Sequence, residues 1–468
     1  ATRYYSSDFT EKRMVSYFGR LGYNYKQRYL LEFTFRRDGS STFGEGNRWA
    51  NFPSVAVGWS FSEEPFIKRL TGGWLNWGKI RGSYGKSGQT FTSAYLAHGL
   101  MNIMDKSFFG KTGITTDKPV SPYLTWEKTR QYDLGLDMDM FNYRLNVKLD
   151  YYYKYTSSLI YDIPIPGSLY AFGAQVENAM EISNEGLELE LQADILRESA
   201  VSWRMKFNMA RNWNRFEKSY SGKDVVDGDG TLLVVGRPLN GLYVWAHRGY
   251  YNSDAEVPRL YKIDGQEIYF NGVATNGISG AVGDYRLLDL DGDGNPDSYY
   301  AGSPLPLAHG GWVNELMWKN FDLNVLVNFT IGRKMINNRM GLGFSRQSED
   351  GHLTKLFDYR KLRPWDGVNK KPNAPAWGNS LSMNTDSAIE KVHHLALKQI
   401  TLGYNLPDRI SKKAGLSGVR FFLTAENLFY LSNYSGGNPE VVNIYTGRDN
   451  GDTYPLPRKY TLGLTLNF

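Results

Sequence analysis

Residues 460–468 read YTLGLTLNF, and every second one is apolar: Tyr460, Leu462, Leu464, Leu466 and Phe468. Between them stand Thr461, Gly463, Thr465 and Asn467, all small or polar. A period of two marks a β-strand with one apolar and one polar face. In a soluble sandwich the apolar face meets a second sheet. In a membrane barrel it meets lipid, and the polar face meets water. A strand this regular also presents a hydrogen-bonding edge that invites aggregation unless it is paired, and barrel closure supplies that pairing.

The pattern recurs upstream. In FDLNVLVNFTI (321–331), Phe321, Leu323, Val325, Val327, Phe329 and Ile331 oppose Asp322, Asn324, Asn328 and Thr330. In GLELELQAD (186–194), Leu187, Leu189 and Leu191 oppose Glu188, Glu190 and Gln192. YDLGLDMDM (132–140), RLNVKLDYYYKY (144–155) and WRMKFNMAR (203–211) repeat it with Asp133, Asp137, Lys148, Asp150, Arg204 and Lys206 on the polar face. Weaker versions at 14–26, 28–36, 53–61, 79–87, 310–318, 395–406 and 419–430 bring the expected count to about thirteen strands, each roughly 9–12 residues long, the length of a tilted span of the hydrocarbon layer. Charges at nearly every second position exclude a dry interior, because an unpaired buried charge is prohibitively costly. The interior must be hydrated or packed on a polar plug, as in large plugged barrels.

Composition agrees. Aromatic residues make up 15% of the 468 residues, as strands and interfacial girdles require. Mean hydropathy is −0.46, and no apolar run is long enough for a membrane helix. Cysteine is absent, which excludes disulfide scaffolds, thiol catalysis and cysteine-ligated metals. Basic and acidic residues, 54 against 48, are interspersed without a basic groove, so nucleic acid is not an expected partner. The opening stretch ATRYYSSDFTEKRMV has no signal-peptide pattern.

The connections alternate in length. Short or moderate ones fall at 25–28, 62–78, 141–143, 195–201, 318–320 and 407–418; long ones fall at about 37–52, 88–130, 156–185, 214–309, 333–394 and 431–459. Outer-membrane barrels sort their loops this way, with short periplasmic turns and long extracellular loops. With Phe468 at the periplasmic end, an odd number of strands puts the first residues outside, whereas a complete bacterial barrel has an even number. The expectation is an all-β, transmembrane antiparallel barrel domain over 1–468 that is the C-terminal part of a larger barrel. The remainder should hold an odd number of strands.

Several segments resemble SusC/RagA-like TonB-dependent transporters of Bacteroidetes. They are SYFGRLGYNYKQRYLLEFTFRRDGSSTFGEGNRWANFPSVAVGWSFSEEPF (16–66), ENAMEISNEGLELEL (177–191), GDYRLLDLDGDGNPD (283–297) with GSPLPLAHGGW (302–312), and AENLFYLSNYSGGNPEV (425–441). The resemblance implies a barrel of 22 strands, of which the last thirteen are here, with a plug domain and TonB box upstream. It also implies a SusD-like surface lipoprotein over the mouth, pairing of two such complexes, and TonB-driven import of an oligosaccharide or peptide. The alternative is a barrel scaffold within an envelope complex that has lost transport.

Few motifs suggest chemistry. DLDGDGNPD (289–297) offers Asp289, Asp291, Asp293, Asn295 and Asp297, hard oxygen ligands with Gly turns that suit Ca²⁺, or else a tight Asp/Gly turn. No terminal Glu completes an EF-hand loop, and no other cofactor is required. His393 and His394 lack a third metal ligand. No nucleophile elbow, zinc-protease motif or phosphate loop is present, so no enzymatic activity is expected. Among loop aromatics, Trp245, Tyr250, Trp365, Trp377 and Tyr434 are the candidate substrate contacts, with RPWDG (363–367) and NAPAWGN (373–379) as mouth-lining segments. Helical turns are expected in 63–79 and 406–418, in the periplasmic connections, where their basic residues face solvent, lipid headgroups or other periplasmic surfaces.

Overall fold

Thirteen strands carry the alternating pattern in a computed structural model of the chain. It describes residues 9–468 except 91–93, 96, 100, 117–118, 171, 198, 227–231, 258, 262–266, 270–281, 293–296, 339–362, 369–370, 377–384 and 452. The strands are β1 (Met14–Tyr25), β2 (Tyr29–Ser40), β3 (Trp49–Trp59), β4 (Leu75–Gln89), β5 (Glu127–Met140), β6 (Leu145–Pro164), β7 (Ala174–Leu196), β8 (Val201–Lys218), β9 (Ala308–Trp318), β10 (Phe321–Asn337), β11 (Ile389–Asn405), β12 (Gly418–Ser432) and β13 (Lys459–Asn467). With a two-residue strand at Arg448–Asp449 that runs parallel to β10, they make a 14-stranded sheet.

The chain divides into two compact units, Ala1–Ile195 with Arg204–Leu239, and Leu196–Trp203 with Asn240–Phe468. In the first, β1 to β8 follow one another as an antiparallel meander, each beside its sequence neighbour. In the second, β9 to β13 do the same. Each strand therefore lies beside its sequence neighbour, joined to it by a tight turn or by one of the long connections.

Register keeps the two faces separate. Ile80 pairs Leu136, Leu136 pairs Leu149, and Leu149 pairs Leu189, so one apolar row crosses β4 to β7. One residue along, Lys79 pairs Asp137, Asp137 pairs Lys148, and Lys148 pairs Glu190. A slip of one residue in any pair would carry charges to the apolar side. In the second unit Leu323, Leu402, Leu423 and Leu462 form the equivalent row across β10 to β13.

The turns of β1–β2, β5–β6 and β9–β10 are as tight as their sequences suggest. They place Lys26, Gln27, Phe141, Asn142, Tyr143 and Lys319 at positive φ, the twist that matches hairpin strands. The two expected helical turns form, at Pro65–Thr71 and at Asp408–Ser411.

Strand lengths differ from the expectation. β6 has 20 residues and β7 has 23, so the segment 156–185, read as a long loop, is mostly a hairpin joined at 165–173. Likewise 37–52 shrinks to 41–48. Beyond the hydrocarbon layer neither face needs to be apolar, so the alternation fades while the backbone ladder continues. Small cores sit there: Phe43, Phe52, Leu124 and Trp126 in the first unit; Leu242, Val244, Ala301 and Ile336, and separately Met335, Val392, Tyr434 and Val442, in the second.

Candidate functional site

On the polar face, charges pair across strands. Arg81 of β4 binds Asp137 of β5 at 3.0 Å and Asp150 of β6 at 2.5 Å. To reach Asp150 its guanidinium lies over Gly135, where a Cβ would stand 2.3 Å from Arg81 Cζ. The second unit repeats the device. Arg420 of β12 reaches Asp322 of β10 at 2.5 Å over Gly403, whose Cβ would come within 2.4 Å of both side chains. Arg20–Glu32 and Lys148–Glu190 continue the pattern at 2.5 and 3.4 Å. These pairs are partly exposed, so each contributes at most ~1 kcal/mol. Their main effect is to keep a hydrated wall electrically balanced.

The apolar face is banded by aromatics. At the short-turn end Tyr25 stacks on Tyr29, Trp74 on Phe141 and Trp318 on Phe321. Toward the long-loop end of the first unit Tyr17 stacks on Trp49, and Tyr132 lies between Tyr84 and Tyr153. Eight residues separate Tyr17 from Tyr25, ~26 Å of strand, on the scale of the roughly 25 Å apolar band of an outer-membrane barrel.

The second unit's long loops are built around Tyr285, which is 2% exposed. Leu242–Trp245 pairs with Ser298–Gly302, and His247–Tyr250 pairs with Tyr285–Leu287. Tyr250 stacks on Tyr285 at 5.3 Å, and the His247 ring meets it edge-on at 4.9 Å. The Tyr285 hydroxyl lies 2.9 Å from Ser387 Oγ, which also bonds Thr385. Asp386 takes His247 Nδ1 on one oxygen and the Tyr299 hydroxyl, at 3.2 Å, on the other. Burial pushes the Tyr285 and Tyr250 phenols up, so both stay neutral and keep their hydroxyl protons.

Three of the candidate aromatics share this loop framework. Trp245 bridges Thr385, and Tyr250 caps Tyr285. Trp365 donates its indole N–H to Asn252 at 3.2 Å and lies against Gly283, where φ is +88° and a Cβ would sit 2.7 Å from the indole. RPWDG and NAPAWGN meet through the Pro364–Ala374 bridge. Tyr434 is elsewhere: it is buried in the Met335–Val392 cluster, with its hydroxyl donating to Asp449 at 2.7 Å. Trp377, Asp293 and Asn295 lie outside the described residues. Asp289, Asp291 and Asp297 bring carboxylate oxygens within 4.8 Å of one another. Asp297 already accepts from the Leu290 and Asp291 amides and Asp289 from Gly292, the bonding of a tight Asp/Gly turn.

Sequence reasoning missed Arg333, Lys398 and Glu440, which hold the last long loop. Arg333, 7% exposed, donates to the carbonyls of Pro439, Val442 and Asn443 at 3.2, 2.9 and 2.8 Å. This fixes the turn that carries Glu440. Glu440 faces Lys398 at 3.1 Å and His394 Nε2 at 3.3 Å, the latter off the hydrogen-bond direction. His394 and Lys398 hold the Glu440 carboxyl down, from the usual 4.5 to about 2. A lowered carboxylate pKa stabilises the folded loop above 4.5, and that contribution is lost as pH falls toward 2. Protease cleavage within 433–458 should therefore be flat above about pH 5 and rise as the pH drops below 4.5. Glu440→Gln should remove that pH step; an unchanged step would assign it to another group.

A sheet with a charged, paired face, an apolar face and aromatic bands is the wall of a membrane-spanning β-barrel with a hydrated interior. The chain belongs to the family described as TonB dependent receptor-like, beta-barrel, which it matches over residues 1–328. It is 32% identical to TonB-dependent receptor P26 of Formosa agariphila over 99% of this chain and 47% of that one. It is 29% identical to TonB-dependent receptor SusC of Bacteroides thetaiotaomicron over 98% of this chain and 44% of that one. The fold matches a structure of the RagAB peptide transporter, with a TM-score of 0.79 at 24% identity over 98% of this chain and 48% of that one. The chain spans about half the length of the curated relatives it matches. The family is one of outer-membrane receptors and transporters, not of enzymes.

Proposed function

We propose that this chain is the C-terminal barrel wall of a SusC-like importer. It would move an oligosaccharide or a peptide across the outer membrane, driven through TonB, with a SusD-like lipoprotein over the long loops and Phe468 at the periplasmic end. The observation that carries the reading is the polar wall itself. Its charges are paired and partly exposed rather than buried, as a water-filled passage beside a removable plug requires. The loop framework around Tyr285 supports it by holding Trp245, Tyr250 and Trp365 on one rigid base, and aromatic faces suit sugar stacking and apolar peptide contact alike. The kinship to SusC and the likeness to a peptide transporter support the substrate class.

A strain lacking the full-length gene should lose growth on one class of defined glycan or peptide, and the purified barrel should bind members of that class. Growth equal to wild type on every nutrient, with no binding, would sink the reading in favour of a scaffold.

A further inference from the structure

The six short connections, 26–28, 60–74, 141–144, 197–200, 319–320 and 406–417, hold ten basic and four acidic residues. That excess equals the formal +6 of the whole chain, so the other residues together are neutral. The net positive charge of this protein therefore sits at the short-turn ends of the strands in each unit. Part of it is compensated locally, as in Arg28–Glu64 and Lys68–Glu63. Among the described residues no carboxylate lies within ion-pair distance of Lys26, Arg144, Lys319, Arg409, Lys412 or Lys413.

Two hairpins, one in each unit, repeat a single local arrangement. In the first, the Lys26 ammonium lies 5.2 Å over the ring of Tyr25, which stacks on Tyr29. In the second, the Lys319 ammonium lies 5.2 Å over the ring of Trp318, which stacks on Phe321. Both lysines are left-handed, at φ 53° and 51°. Glycine or asparagine adopts that conformation at lower cost, so asparagine can replace either lysine without straining the turn. Tyr and Trp rest at the headgroup level of a bilayer, which sets the ammonium at the depth of the lipid phosphates.

We propose that the short-turn end binds anionic glycerophospholipid, with Lys26 and Lys319 each holding a headgroup phosphate beside its aromatic stack. Arg144, Arg409, Lys412 and Lys413 add diffuse attraction to the same leaflet. Tyr25 and Trp318 fix the depth, and the lysines supply the charge. The assignment rests on the barrel and is independent of which nutrient is carried.

The test uses the full-length protein in nanodiscs of phosphatidylglycerol and phosphatidylcholine, with retained lipids counted by native mass spectrometry. Wild type should retain phosphatidylglycerol preferentially. Lys26→Asn with Lys319→Asn keeps residues that favour left-handed turns and should weaken that retention by about fivefold per lysine. The preference should fade at about 1 M salt. A heat-shifted band on gels reports that the variant is folded; if it is not, Lys26→Gln and Lys319→Gln, read singly, take its place. Equal retention of the two lipids, or no change in the folded variants, would overturn the proposal. So would displacement of the lipid by millimolar inorganic phosphate, which would make the sites free-phosphate sites. Loss of affinity only for an acidic soluble protein would overturn it too.

Discussion

Leu189→Arg in the full-length protein should block barrel assembly, whereas Glu188→Gln one residue away should leave it intact. Leu189 lies in the row Ile80–Leu136–Leu149–Leu189. On β5 that row falls midway between Tyr132 and the turn residue Phe141, which places it near the centre of the apolar band. A charge on the lipid face at that depth costs about 2–4 kcal/mol. Glu188 pairs with Asp150 on the opposite face, where water is available and a carboxamide fits. The measurement is the fraction of heat-modifiable, protease-resistant barrel in outer-membrane extracts. Equal assembly of both variants would mean that the apolar face does not meet lipid.

Arg333→Leu should release the last long loop while the barrel stays folded. The guanidinium serves three carbonyls of residues 439–443, and Lys cannot imitate its fork. Each charge-assisted hydrogen bond is worth about 1.5–3 kcal/mol, and the carbonyls left behind would find only partial compensation from water. A local loss of about 3–5 kcal/mol follows, the range for breaking a buried charged network. Hydrogen exchange at the amides of 440–443 should then accelerate by two to three orders of magnitude, about 1.4 kcal/mol per factor of ten. Arg333→Lys should fall near Arg333→Leu. Unchanged protection in both would show that the turn stands without its buried cation. The loop carries Tyr445 and Tyr454, 77% and 84% exposed, so its release would also move two exposed aromatics.

Strand number and face assignment were legible because each residue's environment alternates locally. Lys148 and Leu149 differ in what they meet whether or not their partners are known. The ends of β6 and β7 were not legible, since pairing above the membrane depends on the ladder and not on side-chain period. The site was read in part. Trp245, Tyr250 and Trp365 stood out as loop aromatics, but Tyr434 looks the same in sequence, and only its burial against Met335 and Val392 separates it from them. Tyr285 is buried through Ser387, 102 residues away, and Arg333 acts on carbonyls more than 100 residues on. No local pattern signals either.

By itself the sequence determined that this chain crosses a membrane as strands and which side chains form its apolar and its polar face. Each of these follows from a repeat of two residues and the high cost of placing charge in hydrocarbon. The tertiary structure alone decided which charges pair over Gly135 and Gly403, which aromatics share a base, and which cation latches the last loop. Those depend on register between strands and on contacts far apart in the chain, where free energy is set by distance in space and not along the sequence.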